Sequence, residues 1–481
     1  MIAGLTVGVV ALPLALAFGI TTGLGAAAGL ITAIVAGLVV AVFGGSNVQV
    51  SGPTGAMTVV LVPIVARYGT HAVFVVSILA GMFLVAAAFA RLGRYIAFIP
   101  WPVVEGFTVG IAVIIFMQQV PPALGVAKPK GDNTAAVAVK SVVNAFDSGS
   151  VQAIGLVVLV AVVIAGVPHV RRSLPASLIA VAVATIVAKA ASLDVARIGS
   201  LPSSLPLPSL PHTSVTEIKD LMSAGIAVAL LAAIESLLSA RVADGMSDAA
   251  RHDPDRELFG QGLANVVSPL FGGMPATGAI ARTAVNVRAG ARTRVAAFTH
   301  AIVLMLVVFF GGPLVSEIPL AALAGVLMVT AIRMVEIHNV RAVLRSTRSD
   351  ALVLGLTAAA TIAFDLIVAV EIGVAVAVVL ALRHVALNSG AEVEPLSLDE
   401  MVTNSEEARL LHEHIVVYRL DGALFFGAAQ WFLTELTAVS DVKIVILRLS
   451  QIQVSMRPAP KRWARSSPNS SRAASPCSSR G

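Results

Sequence analysis

Long apolar runs recur along most of this chain, separated by short segments that contain glycine, proline or arginine. Between Ile2 and Leu387 these runs are roughly 15–22 residues long, the length with which an α-helix crosses the hydrocarbon core of a bilayer. Their apolar positions do not alternate with polar ones, as they do in the strands of a membrane β-barrel. The pattern therefore predicts a polytopic α-helical membrane protein.

Hydropathy and loop signals predict about 14 spans. Arginines concentrate in every second loop of this arrangement, as at 91–94, 171–172 and 341–348. Because cytoplasmic loops carry the excess of positive charge, this alternation supports an even number of spans with both termini cytoplasmic, in a bacterial-type inner or plasma membrane. The predicted spans lie at 3–21, 26–43, 53–67, 72–90, 101–120, 151–167, 174–190, 221–240, 257–271, 276–287, 294–311, 318–333, 350–365 and 367–387.

Two short polar motifs interrupt the apolar pattern in the same way. A proline-rich loop at 201–214 divides the spans into two halves of about seven, and the third span of each half is short. The first short span begins with FGGSNVQVSGPTGAM (residues 43–57) and the second with FGGMPATGAIAR (residues 271–282). Short, glycine- and proline-interrupted segments in matching positions are typical of an inverted-repeat transporter with a binding site at the membrane midplane.

A helix that begins inside a membrane has N–H groups without partners within the helix, and these groups cannot remain bare in hydrocarbon. Together with the positive end of the helix dipole, they form a site for an anion. Thr54 and Thr277 can add hydroxyl donors to the two helix starts. The simpler alternative is that each glycine–proline motif is only a loop between two complete spans.

Four side chains in the apolar spans are candidates for chemistry. Glu235 has about three turns of apolar helix before it, and Ser239 lies on the same face one turn later. Arg282 supplies positive charge to the anion site or reaches an interface by snorkelling. Phe18 follows Pro13 and either lines a cavity or is ordinary packing.

Composition supports the membrane prediction, since 57% of the residues are hydrophobic and only 12% are charged. The basic net charge resides mainly in short loops, so topology explains it better than binding to nucleic acid. The single cysteine, Cys477, excludes an intrachain disulfide. The sequence contains no recognisable catalytic triad, metal-ligand cluster or phosphate-binding glycine loop, so we predict neither an enzyme nor a cofactor.

The composition changes after Leu387, which divides the chain into a membrane domain at 1–388 and a cytoplasmic part. Residues 389–455 read as strand, strand, helix and strand, with β-rich runs IVVYRL and KIVILRL and a helix at 428–439. This is the beginning of a small α/β domain. Residues 456–481 lack apolar periodicity and are predicted to be disordered or to result from a frameshift, because a shifted reading frame can encode the next helix and strand.

Several linked motifs resemble the SulP (sulfate permease) family of anion transporters. They are AGLTVGVVALPLALAFG, GGSNVQVSGPTGAM, PVVEGFTVGIAV, SDAARHDPDRELFGQGLANV and GGMPATGAIARTAVNVRAGARTRVA. The resemblance implies seven-plus-seven inverted repeats divided into core and gate domains, commonly assembled as a homodimer. It also implies that the α/β part is a STAS domain, which here stops after its third strand.

The resemblance also implies residues that contact the anion and residues that couple transport to an ion. Phe18 matches an aromatic residue that lines the family's site, and Glu235, with Ser239 beside it, matches the carboxylate of the eighth span. Sodium-coupled bicarbonate members carry an aspartate at that carboxylate, whereas a glutamate indicates proton coupling or a structural charge. The matching anion-site positions are Gly52, Pro53, Thr54, Gly55, Ala56, Pro275, Ala276, Thr277, Gly278, Ala279 and Arg282.

The expected function is therefore secondary transport of inorganic anions, sulfate first, coupled to protons or by anion exchange, with elevator-like movement of the core against the gate. Bicarbonate or a dicarboxylate could replace sulfate as the substrate, because backbone N–H groups recognise anionic oxygen rather than one species. The same motifs are compatible with a STAS-linked anion sensor or scaffold that has little flux, and with a nucleobase carrier.

Overall fold

The computed structural model describes residues 1–94, 100–129, 131, 133–171, 174–201, 204–211, 214–247 and 251–363, isolated positions between 372 and 380, and three later strands. The chain forms two compact units, Met1–Val374 and Ala375–Gly481. The predicted domain boundary at residue 388 lies among residues outside this description, so it stays a prediction.

The described residues of the first unit are mostly helical. Its helices are α1 (Ile2–Thr21), α2 (Ala26–Phe43), α3 (Gly55–Tyr68), α4 (Thr70–Phe89), α5 (Trp101–Gln118), α6 (Val120–Leu124), α7 (Thr134–Ser148), α8 (Val151–Val170), α9 (Ala176–Ala190), α10 (Val215–Met246), α11 (Pro254–Leu270), α12 (Ile280–Arg288), α13 (Val295–Phe310), α14 (Gly312–Ser316), α15 (Leu320–Met334), α16 (Ile337–Ser346) and α17 (Arg348–Ala363). Strands β1 (Ser51–Gly52) and β2 (Thr277–Gly278) lie between these helices.

Each predicted span from 3–21 to 350–365 corresponds to one of these helices. The last predicted span, 367–387, falls almost wholly outside the described residues. Among the described residues, seven helices are long and apolar enough to cross a membrane, and α3, α9 and α13 are shorter apolar helices. The predicted short third span of each half is confirmed as α3 and α12, the latter being only 9 residues long.

Helix α10 extends beyond its predicted span of 221–240 at both ends. Its first turn begins with an N-cap at Ser214, whose hydroxyl accepts a hydrogen bond from Glu217 N at 3.2 Å. This capping satisfies one of the unpaired N–H groups of the helix start, so helical structure is stable outside the apolar segment. Helices α6, α7, α14 and α16 were not predicted, because none has an apolar run of spanning length.

Helices α4 and α11 meet at glycines, so their backbones approach each other closely. A Cβ atom on Gly81 would lie 2.6 Å from the carbonyl oxygen of Gly262, and one on Gly262 would lie 2.8 Å from Val85 N. Small residues at such contacts let helices pack by van der Waals interaction, which matters in a bilayer because lipid is as apolar as the side chains. This pair of helices holds the elements around the two motifs together.

In the second unit the structure describes β3 (Gly390–Glu394), β4 (Ile415–Leu424) and β5 (Ile444–Ser455). Strand β4 lies between the others, antiparallel to β3 and parallel to β5. The run IVVYRL lies on β4 as predicted, and KIVILRL lies on β5 from Ile444 onward, whereas β3 was not predicted. Where two successive strands were expected, the described part of the chain has the single strand β4, with register shifts at 419–421 and 422–424. The predicted helix at 428–439 and the tail at 456–481 lie outside the described residues.

Candidate functional site

The two polar motifs, which are far apart in the sequence, meet as a short antiparallel ladder. Ser51 of β1 pairs with Gly278 of β2, and Gly52 pairs with Thr277. The N–H group of Ala279 extends the ladder by donating to the carbonyl oxygen of Val50 at 2.9 Å. Each strand leads into a short helix, so the N-terminal ends of α3 and α12 begin beside each other.

Both helix starts have no side-chain cap. Thr54 is the N-cap residue of α3 and Ala279 that of α12, and neither side chain accepts a hydrogen bond from its helix. Within the described part of the chain, no hydrogen bond engages the first three N–H groups of either helix. These groups belong to residues 55–57 in α3 and 280–282 in α12. The structure therefore has two clusters of unpaired N–H donors at adjacent positive helix ends. The residues of the first cluster are buried, whereas in the second Ile280 is half-buried and Ala281 is exposed.

Several predicted anion-site positions already use their backbone N–H groups within the protein. Gly278 N donates to the hydroxyl of Ser236 at 2.9 Å, and Ala276 N donates to Asn265 Oδ1 at 2.9 Å. Ala279 N is occupied by the ladder. In the second motif, Gly278, Ala276 and Ala279 thus shape the approach to α12, while the unpaired donors lie slightly later in the sequence.

Glu235 connects the two motifs through its carboxylate. The hydroxyl of Thr277 donates to Glu235 Oε2 at 2.7 Å, and the hydroxyl of Thr54 donates to the same oxygen at 2.8 Å. The two hydroxyl oxygens lie 3.2 Å from each other. Because Glu235 is on α10, these bonds join that helix to the N-cap residue of α3 and to strand β2 at one carboxylate oxygen.

Arg282 lies on α12 with a side chain that is only 2% exposed. One guanidinium nitrogen, Nη2, donates to the carbonyl oxygen of Pro53 in the first motif. The other, Nη1, has no hydrogen-bond partner in the described structure. The burial excludes the snorkelling alternative, since a snorkelling arginine keeps its head group in water. The structure thus brings one buried cation against the start of α3.

Two glycines of the first motif lie where a side chain would meet close neighbours. A Cβ atom on Gly52 would lie 2.7 Å from Arg282 Nη1 and 3.3 Å from the Cα atom of Ala33. A Cβ atom on Gly55 would collide with the side chain of Ile115 and would lie 3.5 Å from the ring of Phe18. Phe18, buried on α1, therefore lies directly beside the first turn of α3.

Ser239 is buried, but its hydroxyl contacts a different partner from the one suggested by its spacing from Glu235. It donates to the hydroxyl oxygen of Thr283 at 3.1 Å. The same oxygen of Thr283 accepts a hydrogen bond from Val50 N at 3.1 Å. Ser239 thus supports the β1 segment through α12, whereas Ser236, which was not predicted as a site residue, contacts the second motif directly.

Sequence reasoning missed the side chains that hold the second motif in place. Asn265 of α11 makes two bonds with one residue, because its amide nitrogen donates to the carbonyl oxygen of Ala276 at 2.9 Å and its amide oxygen accepts from Ala276 N. The hydroxyl of Thr32 on α2 accepts from Met274 N at 2.7 Å. The sequence signal that could have identified these residues is a polar side chain inside an apolar span. Burying such a side chain costs free energy unless it is paired or functional.

A second missed group holds the first motif. Glu257, fully buried on α11, accepts hydrogen bonds from the backbone of Gly45 at 2.8 Å and of Ser46 at 3.1 Å. Asn286 of α12 donates to the carbonyl oxygen of Val48 at 2.7 Å. Gln49 donates across to the carbonyl oxygen of Ser236 at 3.0 Å. Each motif is thus fixed by helices from elsewhere in the sequence, and hydropathy alone carries no information about these pairings.

Comparison with known proteins adds an independent line of evidence. The family model described as the sulfate permease family matches residues 1–357. YvdB of Bacillus subtilis, provisionally named a sulfate transporter, is 37% identical over 89% of this chain and 80% of its own length. The bicarbonate transporter BicA of Picosynechococcus sp. is 30% identical over 93% of this chain and 82% of its own length.

Solved structures agree with the architecture. The transmembrane domain of a cyanobacterial BicA superposes with a TM-score of 0.71 and 32% identity, covering 77% of this chain and 96% of that domain. The murine anion transporter Slc26a9 in its inward-facing state superposes with a TM-score of 0.83, covering 94% of this chain and 80% of that protein. At 16% identity the latter likeness concerns the fold alone. The predicted fold class, a polytopic α-helical membrane protein, is confirmed.

Proposed function

This chain belongs to the sulfate permease family, and we propose that it is a secondary active transporter of inorganic anions, with sulfate as the first candidate. The observation that carries the proposal is the meeting of two helix starts, each with unpaired N–H groups, next to a buried arginine. Family members are transporters rather than enzymes.

The chemistry of the site suits an anion that must be released after it is bound. Backbone N–H groups and helix dipoles supply partial positive charges, and Arg282 supplies one full charge close to the start of α3. A pocket built mainly from partial charges binds a divalent anion without the strong attraction of several cations. Phe18 forms an apolar wall beside these donors and limits the size of the anion.

We propose that Glu235 couples transport to a proton. An ionised carboxylate among the donors repels a bound anion, since two like charges interact strongly where water is scarce. Protonation of Glu235 removes this repulsion and leaves Thr54 and Thr277 able to reorient their hydroxyls towards the anion. The core domain then carries the anion and the proton together across the membrane in an elevator-like movement. Ser239 acts indirectly, by supporting the β1 segment through Thr283.

Uptake of labelled sulfate into proteoliposomes, with and without an inward proton gradient, tests both parts of the proposal. We expect the wild type to accumulate sulfate in response to the gradient. The Glu235→Gln variant is expected to keep saturable uptake and to lose its response to the gradient. Gradient-driven accumulation by Glu235→Gln equal to that of the wild type would remove the coupling role of Glu235 while leaving anion transport in place.

Bicarbonate is the second candidate substrate, and a specific observation favours it. The BicA relatives and the solved BicA domain share 30–32% identity with this chain, a level comparable with that of the sulfate-transporter relative. Competition of bicarbonate, a dicarboxylate and uracil against labelled sulfate separates the candidates. The substrate is the species that competes best and is itself accumulated, and uptake of uracil alone would indicate a nucleobase carrier.

A sensor or scaffold with little flux is the candidate from another functional class. Its C-terminal strands β3–β5 would belong to a STAS domain that binds partners. Calorimetric binding of sulfate without measurable uptake in the same preparation would favour this role over transport.

We also propose a homodimer in a bacterial-type inner membrane with both chain ends in the cytoplasm. The single native cysteine, Cys477, is a convenient reporter for the C-terminal end. In intact cells it should resist a membrane-impermeant maleimide and should react after the membrane is opened. Light scattering of the purified protein, corrected for bound detergent, measures the oligomeric state.

A further inference from the structure

Helix α16 connects two helices that correspond to predicted spans, and the links on both sides of it are very short. Residues 335 and 336 separate it from α15, and Thr347 alone separates it from α17. Because α15 and α17 correspond to predicted spans, these short links keep α16 close to the ends of both spans. By the arginine distribution of the loops, this is the cytoplasmic side.

One side of α16 packs on the protein. Val343 is buried on this side, and Asn339 donates to Glu105 Oε1 on α5 at 3.1 Å and to Glu336 Oε2 at 2.6 Å. The bond between Asn339 and Glu105 fixes the rotation of α16 about its own axis. The remaining circumference of the helix is therefore presented in a defined orientation.

The exposed side combines apolar and basic residues in separate stripes. Ile337 is 57% exposed and Leu344 is 52% exposed, and a separation of seven residues places them on the same side of the helix. Arg341 and Arg345, four residues apart, form the adjoining exposed stripe. Neither arginine takes part in an ion pair within the residues that the structure describes.

We propose that the exposed side of α16 is a binding site for anionic lipid headgroups of the cytoplasmic leaflet, with Arg341 and Arg345 contacting the phosphates. Leu344 and Ile337 enter the acyl boundary beside them. This arrangement of an apolar stripe next to arginines is that of helices lying in a membrane interface. Charge complementarity selects the lipid, because the cytoplasmic leaflet is negatively charged and attracts basic segments that lie close to its surface.

The packing of α16 on α5 connects the proposed lipid site with the transport site. Glu105 lies near the start of α5, and Ile115 of the same helix contacts the first turn of α3 at Gly55. A lipid that stabilises α16 therefore also stabilises the helix that packs against an anion-binding end. We expect anionic lipid to change the rate of uptake as well as to bind.

Quenching by brominated lipids tests the site directly. Leu344→Trp places a fluorophore beside the arginines, and its signal is obtained by subtracting that of the parent protein, which retains Trp101 and the other native tryptophans. The vesicles mix phosphatidylcholine with brominated phosphatidylglycerol. Quenching should show that phosphatidylglycerol binds at this position more tightly than phosphatidylcholine, by about fivefold for each arginine. Arg341→Gln/Arg345→Gln should reduce this preference to about one, whereas Arg341→Lys/Arg345→Lys should keep most of it.

A matched control removes the same charge elsewhere on the predicted cytoplasmic side. Arg288 and Arg292 are exposed, and Arg288→Gln/Arg292→Gln should leave quenching at position 344 unchanged. An equal loss in the control would overturn the proposal in favour of general surface electrostatics. Equal quenching by both lipids would also overturn it, as would absence of quenching by either lipid, which would mean that protein covers this side of α16.

Discussion

Replacement of Thr54 and Thr277 by valine tests whether Glu235 is held by two hydroxyl donors. Both hydroxyls donate to the same carboxylate oxygen, at 2.8 Å and 2.7 Å. A hydrogen bond to a charged group contributes about 1.5–3 kcal/mol, and valine removes the hydroxyl but keeps the branched shape. After one replacement the oxygen still has a donor, whereas after both it has none. The double variant should therefore lose more free energy of unfolding than the two single variants together, by about 0.5–3 kcal/mol.

The assay is reversible unfolding by sodium dodecyl sulfate in mixed micelles, which gives the free energy of unfolding of each variant. Thr54→Ser and Thr277→Ser serve as controls, because serine keeps the donor and loses only a methyl group. A further cycle in the Glu235→Leu background removes the acceptor, so the valine replacements should no longer interact there. The reasoning is refuted if the two valine costs add within about 0.5 kcal/mol, or if their interaction persists without Glu235.

Other predictions concern the backbone around the site. Gly52→Ala should reduce sulfate uptake by at least about tenfold, because the added Cβ atom displaces the guanidinium of Arg282 and small misplacements in a binding site are costly. Gly355→Ala is the control. A Cβ atom there would meet nothing within 4 Å, so this variant should leave uptake unchanged. Asn265→Leu should lower the free energy of unfolding by about 2–6 kcal/mol, since it leaves both the N–H and the carbonyl group of Ala276 buried without partners. Unfolding in the same micelles measures this free energy. A decrease below about 1 kcal/mol would mean that other groups or water form hydrogen bonds with these two groups of Ala276.

Sequence reasoning succeeded where one physical constraint dominates. Apolar length specifies helices in a bilayer, so the spans could be located without knowledge of their neighbours. The cost of a carboxylate in an apolar helix singled out Glu235, which does connect the two motifs. The matching positions of the two short helices predicted that they belong together, and the ladder between β1 and β2 joins them.

The remaining features depend on distances across the fold, which a single sequence does not contain. Spacing placed Ser239 beside Glu235, but the hydroxyl of Ser239 bonds to Thr283 of α12. Similarly, α16 has no apolar run of spanning length, so hydropathy assigned it to a loop. Only its short links and the bond from Asn339 to Glu105 reveal that it is a fixed surface helix.

The two helix ends are similar in backbone geometry but differ in charge. Within the residues that the structure describes, both ends have three unpaired N–H groups. Arg282 lies on the second helix, and its side chain reaches across to Pro53 at the start of the first. Its positive charge is thus shared by both ends, while its free Nη1 atom remains available. Glu235 is likewise shared, because it accepts from one threonine of each motif. Separating the helix ends of the empty site would break bonds of both charged groups, so the two ends should move as one body when the empty site returns across the membrane.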